Sequence, residues 1–154
     1  MIDARTLLEA LETMHTRETG WVFVPELRFG TGYGPMKEQR IDAWAIRCWS
    51  TSGLPNLRRS FELKINPADI TGELRNPDKR WAAYAISHEF YFVTPAGLIN
   101  PNLLTEDDGL MEYFDRTEAP GLKITKPPRV RETMPPRWDF VASLARRLRG
   151  HDIH

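Results

Sequence analysis

Three charged residues stand in segments that otherwise resemble buried β-strands, and their types suit metal-dependent chemistry. Asp42 interrupts one apolar run, and Glu62 and Lys64 alternate with apolar residues in the next. Because successive side chains of a strand point to opposite faces, we expect Glu62 and Lys64 on one face, with Phe61 and Leu63 on the other. Charges in buried strands are costly without a partner, so these residues are candidates for a functional site.

The loop between the two strands sets how these residues face each other. It carries serine, glycine, proline and asparagine, which are typical of turns. Pairing Trp49 with Leu57 across this loop places Asp42 opposite Lys64 and diagonal to Glu62. Directly opposed Cβ atoms lie about 4.5 to 5.5 Å apart, and diagonal ones up to about 7 to 8 Å. We therefore expect two carboxylates and an ammonium group to converge.

A third acid, Glu26, lies on a preceding strand that is predicted over Trp21–Phe29, where a proline favours a sheet edge or a bulge. If the glycine-rich loop after it turns near Gly34, Glu26 faces Asp42. Neighbouring carboxylates raise each other's pKa and repel, and a divalent cation resolves this repulsion. Carboxylate oxygens suit Mg²⁺ or Mn²⁺, and the backbone carbonyl of Leu63 would complete the ligand set.

This pattern resembles the PD-(D/E)XK nuclease superfamily, whose signature is an acid on one strand and an acid-x-Lys triplet on the next. Asp42, Glu62 and Lys64 fill those places. The chain from residue 21 to about residue 113 looks like the MmcB-like branch of that superfamily, and Pro67 departs from its pattern. The likeness is carried by residues 26, 40–42, 62–69, 78–84, 90–97 and 109–112.

The resemblance implies a mixed α/β fold with a restriction-endonuclease-like core, in which a central mixed sheet is flanked by helices. It also implies metal-dependent hydrolysis of DNA phosphodiester bonds, in DNA repair or in the DNA processing of a phage or mobile element. A metal held by Asp42, Glu62 and the Leu63 carbonyl would polarise the scissile phosphate. Lys64 would stabilise charge in the transition state, and Glu26 would be an outer ligand.

Two other classes of function remain open at this point. The acids and lysine could form a structural ion-pair network, and the domain would then be a noncatalytic module that binds nucleic acid or protein. The glycine-rich stretch 30–34 also leaves the binding of a small phosphorylated ligand as an alternative, although it lacks the Lys-Ser/Thr pair that follows in a phosphate-binding loop.

Composition predicts one globular domain with a substantial core. The chain has 154 residues, 41% of them hydrophobic, and a formal net charge of zero. We expect a nuclease-like core over residues 1–120, followed by a basic, proline-rich connector and a C-terminal helix over residues 121–154 that packs on the same domain. From residue 121 to 150 there are eight basic and two acidic residues.

Arg146 and Arg147 of this basic segment are candidate contacts to a DNA backbone, although a basic helix end is often only solvated. Lys79 and Arg80 precede Trp81 and are further candidates, because cations beside aromatic rings can clamp a nucleic acid strand. The alternative is that the aromatic residues of this helix are buried while its cations face water.

The remaining features of the sequence indicate no specialised chemistry. The single cysteine, Cys48, reads as a small core side chain. Neither a signal peptide nor a membrane span is indicated, so we expect a cytoplasmic protein without membrane partners. The oligomeric state stays open, a homodimer included. Helical patterns are expected over residues 4–17, from an Asn66 N-cap onward, and over residues 137–149.

Overall fold

The computed structural model describes residues 2–29, 39–50, 53–75, 80–116 and 118–152. The glycine-rich stretch 30–34 and Lys79 lie outside the described residues. In chain order the elements are α1 (Ala4–Met14), β1 (Trp21–Phe29), β2 (Gln39–Arg47), β3 (Arg58–Leu63), α2 (Pro67–Arg75), α3 (Trp81–Ala85), β4 (Glu89–Pro95), a 3-10 turn (Pro101–Leu103), β5 (Asp108–Phe114), β6 (Gly121–Lys126) and α4 (Trp138–Asp152).

The six strands form one mixed sheet in sequence order, which confirms the expected mixed α/β class. β2 runs antiparallel to both β1 and β3, β4 is parallel to β3 and to β5, and β6 closes the sheet antiparallel to β5. The helices α2 and α3 form the crossover that a parallel β3–β4 pair requires. β1 is an edge strand, as Pro25 indicated.

Each face of the sheet has its own apolar core. On one face, Leu7 and Leu11 of α1 pack with Phe61 and Tyr91. On the other face, a larger core contains Ile70 of α2, Ala82 and Ala83 of α3, and Phe140 of α4, together with Trp44, Phe90 and Phe92 of the sheet. The sheet is thus buried between helices on both faces, which explains the nearly continuous apolar runs of its central strands.

Short polar contacts mark where the helices begin. The Asp3 carboxylate accepts a hydrogen bond from the Thr6 backbone N–H at 2.8 Å and caps α1. Asn66 Oδ1 accepts from the Asp69 backbone N–H at 3.1 Å, so Asn66 caps α2 as its sequence position indicated, with Pro67 as the first helical residue.

The register between β2 and β3 differs from the predicted one. Ala43 lies opposite Phe61, and the loop closes with the Arg47 backbone N–H on the Leu57 carbonyl at 2.8 Å. Asn56 ends this loop in the left-handed region, at φ 51°, with its amide donating to the Arg47 carbonyl at 2.9 Å. The expected pairing of Trp49 with Leu57 was therefore wrong by two residues.

Two other expectations about this region and the C-terminal segment need revision. Cys48, expected in the core, is exposed just beyond the end of β2. Residues 121–126, expected to belong to an extended connector, form the strand β6, which pairs with β5. α4 then packs on β1, with Phe140 against Phe29. In the described part of the chain, no helix has the length and apolarity to cross a membrane.

Candidate active site

Asp42 and Glu62 are the two acids that the β2–β3 register brings face to face. Extending the pairing of Ala43 with Phe61 by one residue sets Asp42 opposite Glu62, and not opposite Lys64 as the sequence analysis predicted. Asp42 Oδ2 accepts a hydrogen bond from the Leu63 backbone N–H at 2.9 Å, which holds the carboxylate against the end of β3. Arg40 approaches the other Asp42 oxygen at 3.7 Å.

The ionisation of Glu62 is strongly perturbed. Burial raises the pKa of Glu62, the charges of Asp42 and Glu73 act in the same direction and Lys64 opposes them, with a net result of about 8. A hydrogen bond to Asp42 also favours the protonated form of Glu62. Glu62 is therefore mainly protonated at neutral pH when no cation is bound.

Lys64 shares the face of Glu62, as strand alternation predicted, but its direct partner is Glu73. Lys64 Nζ lies 3.3 Å from Glu73 Oε1. The second Glu73 oxygen is buried without a hydrogen-bond partner, and Arg80 Nη1 is 3.7 Å from it. The sequence analysis missed Glu73, although its spacing of three from the buried Ile70 places it on the inward face of α2.

Arg80 and its neighbours close the site on the α3 side. The Arg80 side chain is 3% exposed, and it binds Asp108 at 3.2 Å and donates to the Tyr84 hydroxyl at 3.1 Å. Tyr84 also donates to Asp108. Arg80 is thus an interior ion-pair residue. Its prediction as a DNA contact required an exposed position, which Arg80 does not have. Trp81, predicted in the alternative to be buried, is 55% exposed.

Glu26 lies apart from this cluster. The β1–β2 register agrees with the prediction, since Pro25 pairs with Ala43 and Leu27 with Ile41, which puts Glu26 across from Asp42. However, Glu26 has a φ of 51° and an exposed side chain. The charges that act on Glu62 are those of Asp42, Lys64 and Glu73.

A cavity of about 30 Å³ adjoins Glu62 and Glu73, which is room for a water-sized ligand. Its charged lining is formed by Glu62, Glu73, Arg40 and Arg80. Within the residues that the structure describes, no set of three or more His, Cys, Asp or Glu side chains is arranged to hold a metal ion. The arrangement therefore offers two facing carboxylates and the nearby Leu63 backbone, flanked by an ammonium and two guanidinium groups.

The two C-terminal arginines lie on α4, which covers the same face of the sheet as Glu62. Arg147 Nε donates to the Pro25 carbonyl at 3.2 Å, so part of its role is to dock α4 on β1. Arg146, the next residue toward the N-terminus, is exposed. Arg147 thus has a structural role, whereas Arg146 is solvated.

Comparison with known proteins identifies the fold and no activity. No protein-family model matches the chain, and no curated protein matches it. Among solved structures, the SPO1766 protein of unknown function from Silicibacter pomeroyi is similar, with a TM-score of 0.58 and 19% sequence identity. The match covers 94% of this chain and 88% of that protein. The likeness therefore extends over nearly the whole chain.

Proposed function

We propose that this protein is a Mg²⁺- or Mn²⁺-dependent nuclease that hydrolyses DNA phosphodiester bonds at the Asp42, Glu62 and Lys64 cluster. The observation that carries the proposal is the pair of opposed carboxylates at the end of β3, with a lysine beside them on the same face. This is the residue pattern on which the resemblance to the PD-(D/E)XK superfamily rests.

The chemistry of the two carboxylates fits a hard divalent cation. Glu62 keeps its proton at neutral pH because burial and the charge of Asp42 oppose its ionisation, and a bound cation would favour the ionised carboxylate. Asp42, Glu62 and the Leu63 carbonyl would be its protein ligands, with solvent completing the shell as Mg²⁺ prefers. When bound, the cation would supply Lewis-acid activation of the phosphodiester.

Lys64 would contribute a positive charge beside the phosphate, where negative charge increases during the reaction. Its ammonium group lies at the end of a flexible stem and is held by Glu73 at 3.3 Å. A substrate phosphate that arrives beside Asp42 would compete with Glu73 for this ammonium group. Glu73 is then a positioning residue, and the gain in charge on the phosphate in the transition state favours its contact with Lys64.

The position of α4 supports a DNA backbone as substrate. α4 docks on β1 through the contact of Arg147 with Pro25, which pairs with Ala43, the residue next to Asp42 on β2. The exposed Arg146 and Arg149 extend from the same helix. A phosphate backbone that reaches the acids can thus meet positive charge on the same side of the sheet.

A noncatalytic module on the same fold is the second candidate function, and one observation favours it. Lys64 is already paired with Glu73, and Arg80 with both Glu73 and Asp108, so the cluster can stand as a closed ion-pair network. Such a module would bind its partner without needing a cation.

DNA cleavage separates these two functions. Plasmid, single-stranded and branched DNA are incubated with the wild-type protein in Mg²⁺, Mn²⁺ or EDTA, beside Asp42→Asn. The nuclease proposal requires cleavage that EDTA and Asp42→Asn both abolish, together with a metal-induced rise in the thermal midpoint that Asp42→Asn removes. DNA binding without cleavage of any substrate, and a midpoint unaffected by millimolar metal, would instead support the noncatalytic module.

A further inference from the structure

A pocket of about 330 Å³ opens on the face of the sheet that α3 and α4 cover, between these two helices and the extended segment 133–137. Trp44 lines its floor, Ala85 of α3 and Phe140 of α4 line its walls, and Met134 lies at its rim. This volume falls at the lower end of the range for small-molecule sites, which are concave and mainly apolar.

The charge of the lining is entirely positive. Arg58 and Arg137 line the pocket together with Thr133, the other lining side chains are apolar, and none is acidic. Arg137 pairs with Asp139, which lies outside the pocket lining, at 3.2 Å. An anion in the pocket would therefore meet positive charge, and Arg58 is the lining guanidinium group without a carboxylate partner among the described residues.

Arg58 is the group that lacks a countercharge. Its Nη2 donates to Thr133 Oγ1 at 2.7 Å, and no ion pair to a carboxylate forms among the described residues. His88 is a poor acceptor for it, because His88 Nδ1 already accepts from the Arg58 backbone N–H at 3.1 Å. His88 Nε2 lies 3.1 Å from Arg58 Nη2, and a neutral imidazole, which accepts at only one nitrogen, supplies no negative charge in either tautomer.

We propose that this pocket binds a small organic anion, namely a carboxylate with an aromatic or branched aliphatic body. The body would lie against Trp44 and Phe140, and the carboxylate would bind the guanidinium group of Arg58. Pairing would relieve the cost of a partly buried, uncompensated cation, and an apolar body would cover the exposed side chains of Trp81 and Met134. A nucleobase fits less well, because the lining offers few hydrogen-bonding groups.

This site is separate from the acid cluster and does not depend on the proposed nuclease activity. The two cavities share only Ala82 among their lining residues. Occupation of the pocket can therefore be measured in the metal-free protein without DNA.

The test compares 2-naphthoate with the neutral 2-naphthalenemethanol, by quenching of tryptophan fluorescence and by calorimetry. We expect saturable binding of 2-naphthoate and binding of the alcohol that is weaker by about tenfold or more, since a charge-assisted hydrogen bond is lost. Arg58→Gln should remove this preference. Equal binding of the two probes, or no naphthoate binding up to millimolar concentration, would overturn the proposal.

Because Arg58→Gln could affect folding, an exposed position provides a second variant. Met134 is 77% exposed at the rim, and Met134→Glu should weaken naphthoate binding by roughly tenfold through like-charge repulsion and competition for Arg58. Leu103→Glu is the matched control, since Leu103 is 64% exposed and lies outside the pocket lining. Naphthoate affinity that is the same in Met134→Glu and Leu103→Glu would also refute the site.

Discussion

Glu62 holds a proton at neutral pH because burial and the charge of Asp42 both oppose its ionisation. A buried carboxyl beside a second one is costly to the fold when it ionises, and such costs are common where a site binds a cation or a substrate. The same residue can therefore lower stability in the metal-free protein and serve function when a cation is present.

This gives the first prediction, which concerns stability against pH. The pKa of Glu62 rises from its ordinary value of 4.5 to about 8 on folding, so the folded state keeps a proton that the unfolded chain releases. The contribution of Glu62 to stability is fully present below pH 4.5 and is lost as the pH rises through 8. We expect this loss to be at most about 1.4 kcal/mol per pH unit.

Glu62→Gln isolates this effect, because glutamine keeps the shape and cannot ionise. Between pH 5 and 8.5, without metal, the free energy of unfolding of the wild type should fall more steeply with rising pH than that of Glu62→Gln. Buried His15 has the opposite sign: its pKa falls to about 4, so its contribution is lost as the pH drops below 6.5. Denaturant titrations with parallel pH profiles for both proteins would contradict the role of Glu62.

At the scale of the elements, the turn between β2 and β3 decides which charges meet. Asn56 holds the turn with a φ of 51° and a hydrogen bond from its amide to the Arg47 carbonyl. Asparagine tolerates the left-handed region, and most other residues do not. The loop therefore closes at Asn56, and Leu57 lies opposite Arg47, two residues before the predicted partner Trp49. The resulting register sets Asp42 opposite Glu62.

The second prediction follows from this turn. Asn56→Ala should lower the free energy of unfolding by about 1 to 3 kcal/mol, since alanine loses the hydrogen bond and is strained at positive φ. Asn56→Gly accepts the same φ and loses the hydrogen bond alone, so it should cost about 1 kcal/mol or less. Chemical denaturation compares the two variants, and a glycine variant that is no more stable than the alanine variant would argue against strain at this position.

The sequence predicts elements better than it predicts their contacts. The bounds of β1 and the β1–β2 register follow from local apolar patterning and one turn, and they agree with the structure. β6 was missed because its residues are mostly exposed and show little alternation of burial, as an edge strand allows. Glu73 and Arg80 were missed or misplaced because their burial depends on each other and on Asp108, far along the chain.

At the scale of the whole molecule, charge is unevenly distributed although the net charge is zero. The basic residues of α4 cover the face of the sheet that carries Glu62, whereas α1 covers the other face. A long anion such as DNA would thus be attracted to one face by local charge, without an overall basic surface.

The third prediction concerns this basic face. Arg146 and Arg149 are exposed, so the double variant Arg146→Gln/Arg149→Gln should fold normally. It should bind DNA more weakly, to a similar degree for every sequence, and the slope of log affinity against log salt should fall by up to about 2. Fluorescence anisotropy at several salt concentrations measures both.

The matched control changes the same charge on the opposite face. Arg5→Gln/Arg17→Gln alters two exposed arginines at α1 and just beyond its end. If α4 contacts DNA, this control leaves affinity and salt slope close to wild type. Equal losses from both double variants would instead indicate a nonspecific effect of net charge.

The most direct test of a catalytic cluster is the rate of plasmid cleavage by Lys64→Ala in saturating Mg²⁺, relative to wild type and to Lys123→Ala, which changes an exposed lysine on β6. Lys64 is expected to act on transition-state charge and not as a metal ligand. Cleavage by Lys64→Ala should therefore fall by about 100-fold or more, while its metal-induced rise in thermal midpoint persists and Lys123→Ala behaves as wild type. Wild-type cleavage by Lys64→Ala would contradict the assignment of the site.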